Sequence, residues 1–195
     1  IYRKYKSLRE YCKNGKREKI MLKIKFDRLD YQELAVNSIS DVFKNIAFKT
    51  NDNKKSNPSF DLQASKSILV NNITKVREIN KVDIGDISIK DELVIDTLME
   101  TGTGKTFTFL ESIYRLNRDY GLCKFIILVP SNPIRQGTIK NINITKEFFT
   151  KEYGKQISVY NYSEKTVLNY INASSQNISV LVSTYQSFNK ATNSI

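Results

Sequence analysis

"LMETGTGKT", residues 98–106, decides how this chain is read. It ends in Gly104-Lys105-Thr106, the tail of the phosphate-binding pattern G-x-x-x-x-G-K-[ST]. Where that pattern opens with glycine, this chain has Met99. The chemistry does not depend on that position. In such a loop successive backbone N–H groups converge on anionic oxygens, and the helix behind adds its partial positive charge. Residues 101–106, TGTGKT, form the part that touches phosphate. Thr101 and Thr103 alternate with Gly102 and Gly104, which are small and free to take positive φ. Lys105 would reach the β- and γ-phosphates and Thr106 would ligate Mg2+. The bland alternative is a Gly/Thr-rich turn with an incidental lysine, and the flanking pattern argues against it. Residues 93–99 read as a strand running into the loop, and "KTFTFLESIYRLNRDY" reads as a helix out of it, with Phe107, Leu110, Ile113 and Tyr114 on one face.

That strand–loop–helix unit continues as an alternation. Gly121 stops the helix from the left-handed region. "KFIILVP", 124–130, is an unbroken apolar run of the kind found in buried parallel strands. Asn132 caps a further helix with Pro133 at its first position, and that helix ends at Gly154. "QISVYNY" reads as a strand, "EKTVLNYIN" as a helix and "ISVLVST", 178–184, as a fourth strand. The predicted fold class is therefore α/β, a mostly parallel sheet with helices on both faces.

Upstream, Ile24 and Phe26 alternate with lysine as in a short strand. Asp30 can cap a helix with Glu33 as its box partner, and Leu34, Ile39, Val42, Phe43 and Ile46 follow at helical spacing. Residues 49–63 are polar, contain Pro58, and read as a loop or disordered insert. "SKSILVNNITKVREINKV" reads as a second helix, and "VDIGDISI" as a short strand or a loop. Three segments result: a basic extension 1–20, a helical segment 21–92, and a phosphate-loop core 93–195.

Composition limits the function classes. A chain that is 40% hydrophobic and 26% charged is a globular one. No apolar run approaches the roughly 18 residues of a membrane span. With no histidine and two cysteines far apart, Cys12 and Cys123, a zinc site or a histidine dyad is excluded. A cytoplasmic, reducing location is expected. The net charge of +11 is concentrated: residues 1–25 hold ten Lys/Arg against two Asp/Glu, and the other 170 residues carry the remaining three charges. The basic tail can grip phosphates or stand solvated, and the second reading is the commoner one.

The residues "METGTGKT" resemble the motif I loop of superfamily 2 helicases and translocases, which lack the leading glycine. Within that group they look most like the restriction (Res) subunit of type III restriction–modification enzymes. Three further segments are similar to that family, in order: "LDYQELAV" with its Tyr-Gln pair, "YGLCKFIILVPSNPIRQGTIKNINIT" as the motif Ia region, and "VLVSTYQSFNKATNSI". The resemblance implies a RecA-like P-loop fold forming the front part of motor domain 1, with Met21 as a plausible native start. It implies ATP and Mg2+ as cofactors, double-stranded DNA as substrate and a Mod methyltransferase subunit as partner. Residue by residue, Gln32 matches a glutamine that would read the adenine edge. Pro130, Ser131 and Arg135 fall in the motif Ia region that would contact DNA backbone, and Gln186 and Ser187 fall in a second such contact. Phe188 is assigned to core packing. The plain alternatives are an exposed helix glutamine at Gln32 and surface roles for Arg135, Gln186 and Ser187.

A motor also needs a carboxylate pair after a strand to hold Mg2+ and orient water. Asp91-Glu92 precedes the loop, so that box is expected beyond Ile195, and the segment alone is expected to bind nucleotide weakly without turning it over. Three other readings compete. They are another superfamily 2 motor such as a type I restriction subunit or repair helicase, a non-hydrolysing nucleotide-binding fragment, and a small P-loop kinase, against which "PSNPIRQG" after a strand argues.

Overall fold

The computed structural model describes residues 26–50, 55–83 and 85–192. The proposed extension 1–20, the start at Met21 and the strand residue Ile24 lie outside them. Phe26 belongs to no strand; it stacks on Phe107 at 5.8 Å between ring centroids, so its apolar side chain enters the core from a coil.

Among the described residues six helices and three strands follow in chain order: α1 Asp30–Asp41, α2 Leu62–Ile79, α3 Lys105–Tyr120, β1 Lys124–Val129, α4 Asn132–Tyr153, β2 Ile157–Asn161, α5 Glu164–Asn172, β3 Ile178–Thr184 and α6 Tyr185–Thr192. The sheet has the order β1-β3-β2 and every pairing is parallel, Lys124 to Val129 against Ser179 to Thr184 and Ile157 to Asn161 against Ile178 to Val182. β3 is buried along its whole length because both of its neighbours and both sheet faces cover it. Its Ile178, Val180 and Val182 meet Leu110, Ile113 and Tyr114 of α3 and Ile142 and Phe149 of α4. The opposite face carries α5, whose Tyr170 stands edge-on to Tyr160 of β2 at 5.8 Å. This is the α/β arrangement predicted, with helices on both faces.

Four details depart from expectation. Residues 93–99 are not a strand: among the described residues nothing pairs with them, and Leu98 is 99% exposed. An apolar run becomes a strand only where a neighbour completes its ladder. For the same reason β1, read as a buried strand, is an edge strand among the described residues, with Ile126 and Leu128 exposed on the α5 side. The N-terminus of α1 is set by Leu29, not Asp30, and the side chain that reaches back is Gln32, whose Oε1 accepts from Leu29 N at 3.3 Å. The helix at 132 likewise starts one residue early, with Ser131 as its cap residue and Pro133 second inside.

The turn after α1, α2 and the coil after α2 form a second small core of Val42, Ile46, Leu69 and Ile89, ringed by Phe43, Phe48 and Phe60. Leu34, expected inside, is exposed, and the polar Gln32 and Ser40 are buried on α1 instead. Ser40 is where α1 is fixed to α3: its hydroxyl donates to Asp119 Oδ2 at 2.9 Å, and its carbonyl accepts from Tyr120 Oη at 2.7 Å. The polar stretch expected to be loose is docked where it is described. Asn57 accepts from Cys123 N and Lys124 N, both at 2.7 Å, and donates to Lys124 O at 2.9 Å. Lys49 and Ser59 close a one-bridge antiparallel pair beside it.

Candidate functional site

The loop before α3 is built by two left-handed glycines, Gly102 at φ +83° and Gly104 at φ +87°. Gly102 is required for its φ alone, since nothing lies within 4 Å of where a Cβ would stand. Gly104 is required twice over, because a Cβ there would also collide with Gln32 Nε2. Upstream, Thr103 closes a tight turn through its hydroxyl, which donates to Glu100 O at 2.6 Å. Lys105, the first residue of α3, is exposed and donates from Nζ to Met99 O at 2.5 Å. The position that lacks the pattern's glycine therefore offers its carbonyl to the loop lysine, a role any residue type can fill. Thr106 is half-buried on the first turn of α3, and Thr101 and Gly102 are exposed.

Of the residues read from sequence, the fold brings Gln32 onto this loop. Its amide Nε2 donates to Thr103 O at 2.9 Å across 71 positions of chain. Tyr31 joins it, donating from Oη to the same oxygen at 3.1 Å. In the sequence Tyr31 is half of a Tyr-Gln pair to which no role attaches. Its adjacency to Gln32 on the first turn of a helix was the available signal.

The remaining candidates form a second cluster. Val129 and Thr184 are paired, so the chain leaves β1 and β3 side by side, one into α4 and the other into α6. Ser131 makes no side-chain capping bond and is half-buried. Arg135 lies on the first turn of α4, half-buried, and its Nε is buried with no hydrogen-bond partner. At α6, Thr184 Oγ1 accepts from Ser187 N at 3.2 Å and donates to Ser187 Oγ at 2.8 Å, so Ser187 serves first in capping. Gln186 beside it is exposed, and Phe188 is half-buried. Among the described residues no hydrogen bond or ion pair joins this cluster to the glycine loop. Nor do three or more Cys, Asp or Glu side chains gather there as a metal site. Mg2+ at nucleotide sites keeps several waters and takes only one or two protein oxygens beside the phosphates, and the Thr106 hydroxyl could supply one of them. No described helix is long and apolar enough to cross a membrane.

Comparison with known proteins adds a family. The model of the family described as "Type III restriction enzyme, res subunit" matches residues 25–195. The chain is 34% identical over 143 residues to the type III restriction-modification enzyme EcoPI Res subunit of Escherichia phage P1, which covers 68% of this chain and 14% of that protein. It is 33% identical over 139 residues to the EcoP15I Res subunit of Escherichia coli, with the same two coverages. Over a shorter stretch of 66 residues it is 39% identical to the StyLTI Res subunit of Salmonella typhimurium, covering 34% of this chain and 6% of that protein. The chain thus spans about a seventh of the length of the first two relatives.

Proposed function

The chain belongs to the family of type III restriction enzyme Res subunits, and from that premise we propose that it binds ATP and Mg2+ through its glycine loop as part of a DNA-translocating motor. Its α/β fold is the RecA-like one of that family. In the intact protein, motion along double-stranded DNA would serve an endonuclease working with a Mod methyltransferase subunit that recognises the target, all within the cytoplasm.

One observation carries the nucleotide reading: the two left-handed glycines, at φ +83° and +87°, lie directly before the N-terminus of a sixteen-residue helix. Such a glycine turn ahead of a helix would aim free backbone N–H groups, with the helix charge behind them, at phosphate oxygens, while the Thr103 N–H is already donated to Glu100 O at 3.4 Å. Thr101, Gly102, Thr103 and Gly104 would line the cradle. Lys105 would leave the Met99 carbonyl for the β/γ-phosphates, exchanging a neutral acceptor for a charged one. Thr106 would give its hydroxyl to Mg2+. Gln32 would meet the adenine edge with its second amide proton and second Oε1 lone pair, both left over after its bonds to Thr103 and Leu29.

The helix starts at Ser131 and Thr184 would contact DNA phosphates, with Arg135 supplying charge and Ser131, Gln186 and Ser187 supplying polar groups. Ligands of open α/β sheets bind at this end of the strands.

Titration of the chain with fluorescent ATP in the presence of Mg2+ tests the nucleotide reading. Saturable binding that Lys105→Ala weakens at least tenfold supports it. Binding that Lys105→Ala leaves unchanged would overturn it.

A further inference from the structure

We infer that Tyr31 is a positioning residue of the glycine loop: with Gln32 it fixes the orientation of the Thr103–Gly104 peptide and so the aim of the Gly104 N–H. The inference rests on the reading of this loop as a phosphate site and adds a residue to it.

The argument starts from the peptide plane. In a trans peptide the C=O and N–H point in opposite directions, and no described peptide is cis. Thr103 O faces α1, where it accepts from Tyr31 Oη at 3.1 Å and from Gln32 Nε2 at 2.9 Å. A carbonyl oxygen has two lone pairs, and these two donors match them. With the oxygen held against α1, the N–H of Gly104 must point the other way, away from α1.

This peptide needs holding. Gly104 lacks a Cβ, so a rotation that reverses φ at 104 meets little steric resistance. A flipped peptide would present its oxygen, not its N–H, to an incoming phosphate. The glycine that makes the close approach possible thus also makes the peptide easy to turn the wrong way, and two donors from one helix turn oppose that. Their platform is fixed at both ends. Arg28 Nε is 2.7 Å from Glu111 Oε1 just before α1, and Ser40 joins Asp119 and Tyr120 at its far end. The donors are therefore held by the same helix, α3, that the loop opens.

The two donors differ in what can be tested. Gln32 is 5% exposed and also closes the first turn of α1, so its replacement disturbs the helix. Tyr31 is 43% exposed, and Tyr31→Phe removes only the hydroxyl. The full chain, wild type and Tyr31→Phe, is titrated with Mg-ATP and with Mg-tripolyphosphate, which has no base; Lys105→Ala is the control. Thermal unfolding without ligand and the Gly104 amide resonance by NMR are recorded alongside. The expected result is a loss of affinity of about threefold to tenfold, the effect of one hydrogen bond, equal for both ligands. The unfolding midpoint stays unchanged, and a Gly104 amide signal sharp in the wild type broadens in Tyr31→Phe. Equal affinity of Tyr31→Phe and wild type for tripolyphosphate overturns the inference, whether or not ATP binding falls. Failure of the wild type to bind either ligand, or indifference to Lys105→Ala, overturns the phosphate-site reading itself.

Discussion

Arg28 Nε stands 2.7 Å from Glu111 Oε1, joining the coil before α1 to the middle of α3, where Glu111 is 1% exposed. The same guanidinium pairs through Nη2 with Glu152 of α4, and Tyr153 Oη donates to Glu111 Oε1 at 2.9 Å. Burial works against the charge on Arg28, but the hydrogen bonds to Glu152 and Glu111 outweigh it and raise its pKa. One arginine thus ties three segments around a carboxylate that has little water to turn to.

Arg28→Met should therefore destabilise the chain by about 2–3 kcal/mol, below the roughly 3–5 for breaking a fully buried pair, because the arginine side chain is 29% exposed. Arg28→Met combined with Glu111→Leu should recover part of the loss, since no uncompensated carboxylate remains. Urea unfolding of both variants measures this. A change within about 0.5 kcal/mol for Arg28→Met would mean that the pair contributes no more than an exposed one.

How much of this was legible in the sequence depends on the range of the interaction. β3 and the ends of α3 and α4 follow from local pattern, because Gly121 and Gly154 stop helices by their own backbone freedom at φ +73° and +68°. The glycine loop was legible for the same reason. The segment 93–99 was misread because strand formation depends on a partner elsewhere, which composition does not report. Gln32 was singled out, but its partner Thr103 lies 71 positions away. Asn57 was invisible inside a polar stretch, since nothing local distinguishes an asparagine that pairs with distant backbone from one in water.

Asn57 gives the second prediction. It satisfies two N–H groups and one carbonyl at the start of β1. Asn57→Ala leaves those half-buried groups without partners, each worth about 1 kcal/mol or more, and should destabilise by about 2–3 kcal/mol. Hydrogen exchange at the Cys123 and Lys124 amides should quicken more than at Val180 in β3. Uniform quickening would mean that Asn57 acts on global stability and does not pin the strand start.

Alkaline pH should unfold the chain through two tyrosines. Burial pushes the Tyr114 hydroxyl up to about 12, a neighbouring Thr150 offsetting part of it. Burial, with the Cys123 charge adding to it, does the same for Tyr170. An unfolded tyrosine titrates at about 10. Both folded values are raised, so the stability they confer is fully present below about pH 10 and is lost as pH rises toward about 12. Tyrosinate absorbance should then rise together with unfolding over that window, and Tyr114→Phe should make the urea midpoint less sensitive to pH there. Ionisation of every tyrosine at about pH 10 with the fold intact would show that neither side chain is shielded.

DNA binding must be separated from the charge of the N-terminal segment, whose surplus of eight basic residues would hold any polyanion. The proposed contact is local: Arg135 on the first turn of α4, beside the start of α6. Arg135→Ala should weaken binding of double-stranded DNA by roughly threefold to tenfold and reduce the salt slope by about one. Lys151→Ala makes the same charge change on the same helix, about 24 Å further along at 1.5 Å per residue. It is exposed and far from both helix starts. If binding were diffuse attraction to a basic protein, the two variants would lose equally, because each removes one positive charge from a chain at +11. A contact at the strand ends requires Arg135→Ala to lose clearly more than Lys151→Ala at every salt concentration, with the gap persisting when residues 1–25 are removed.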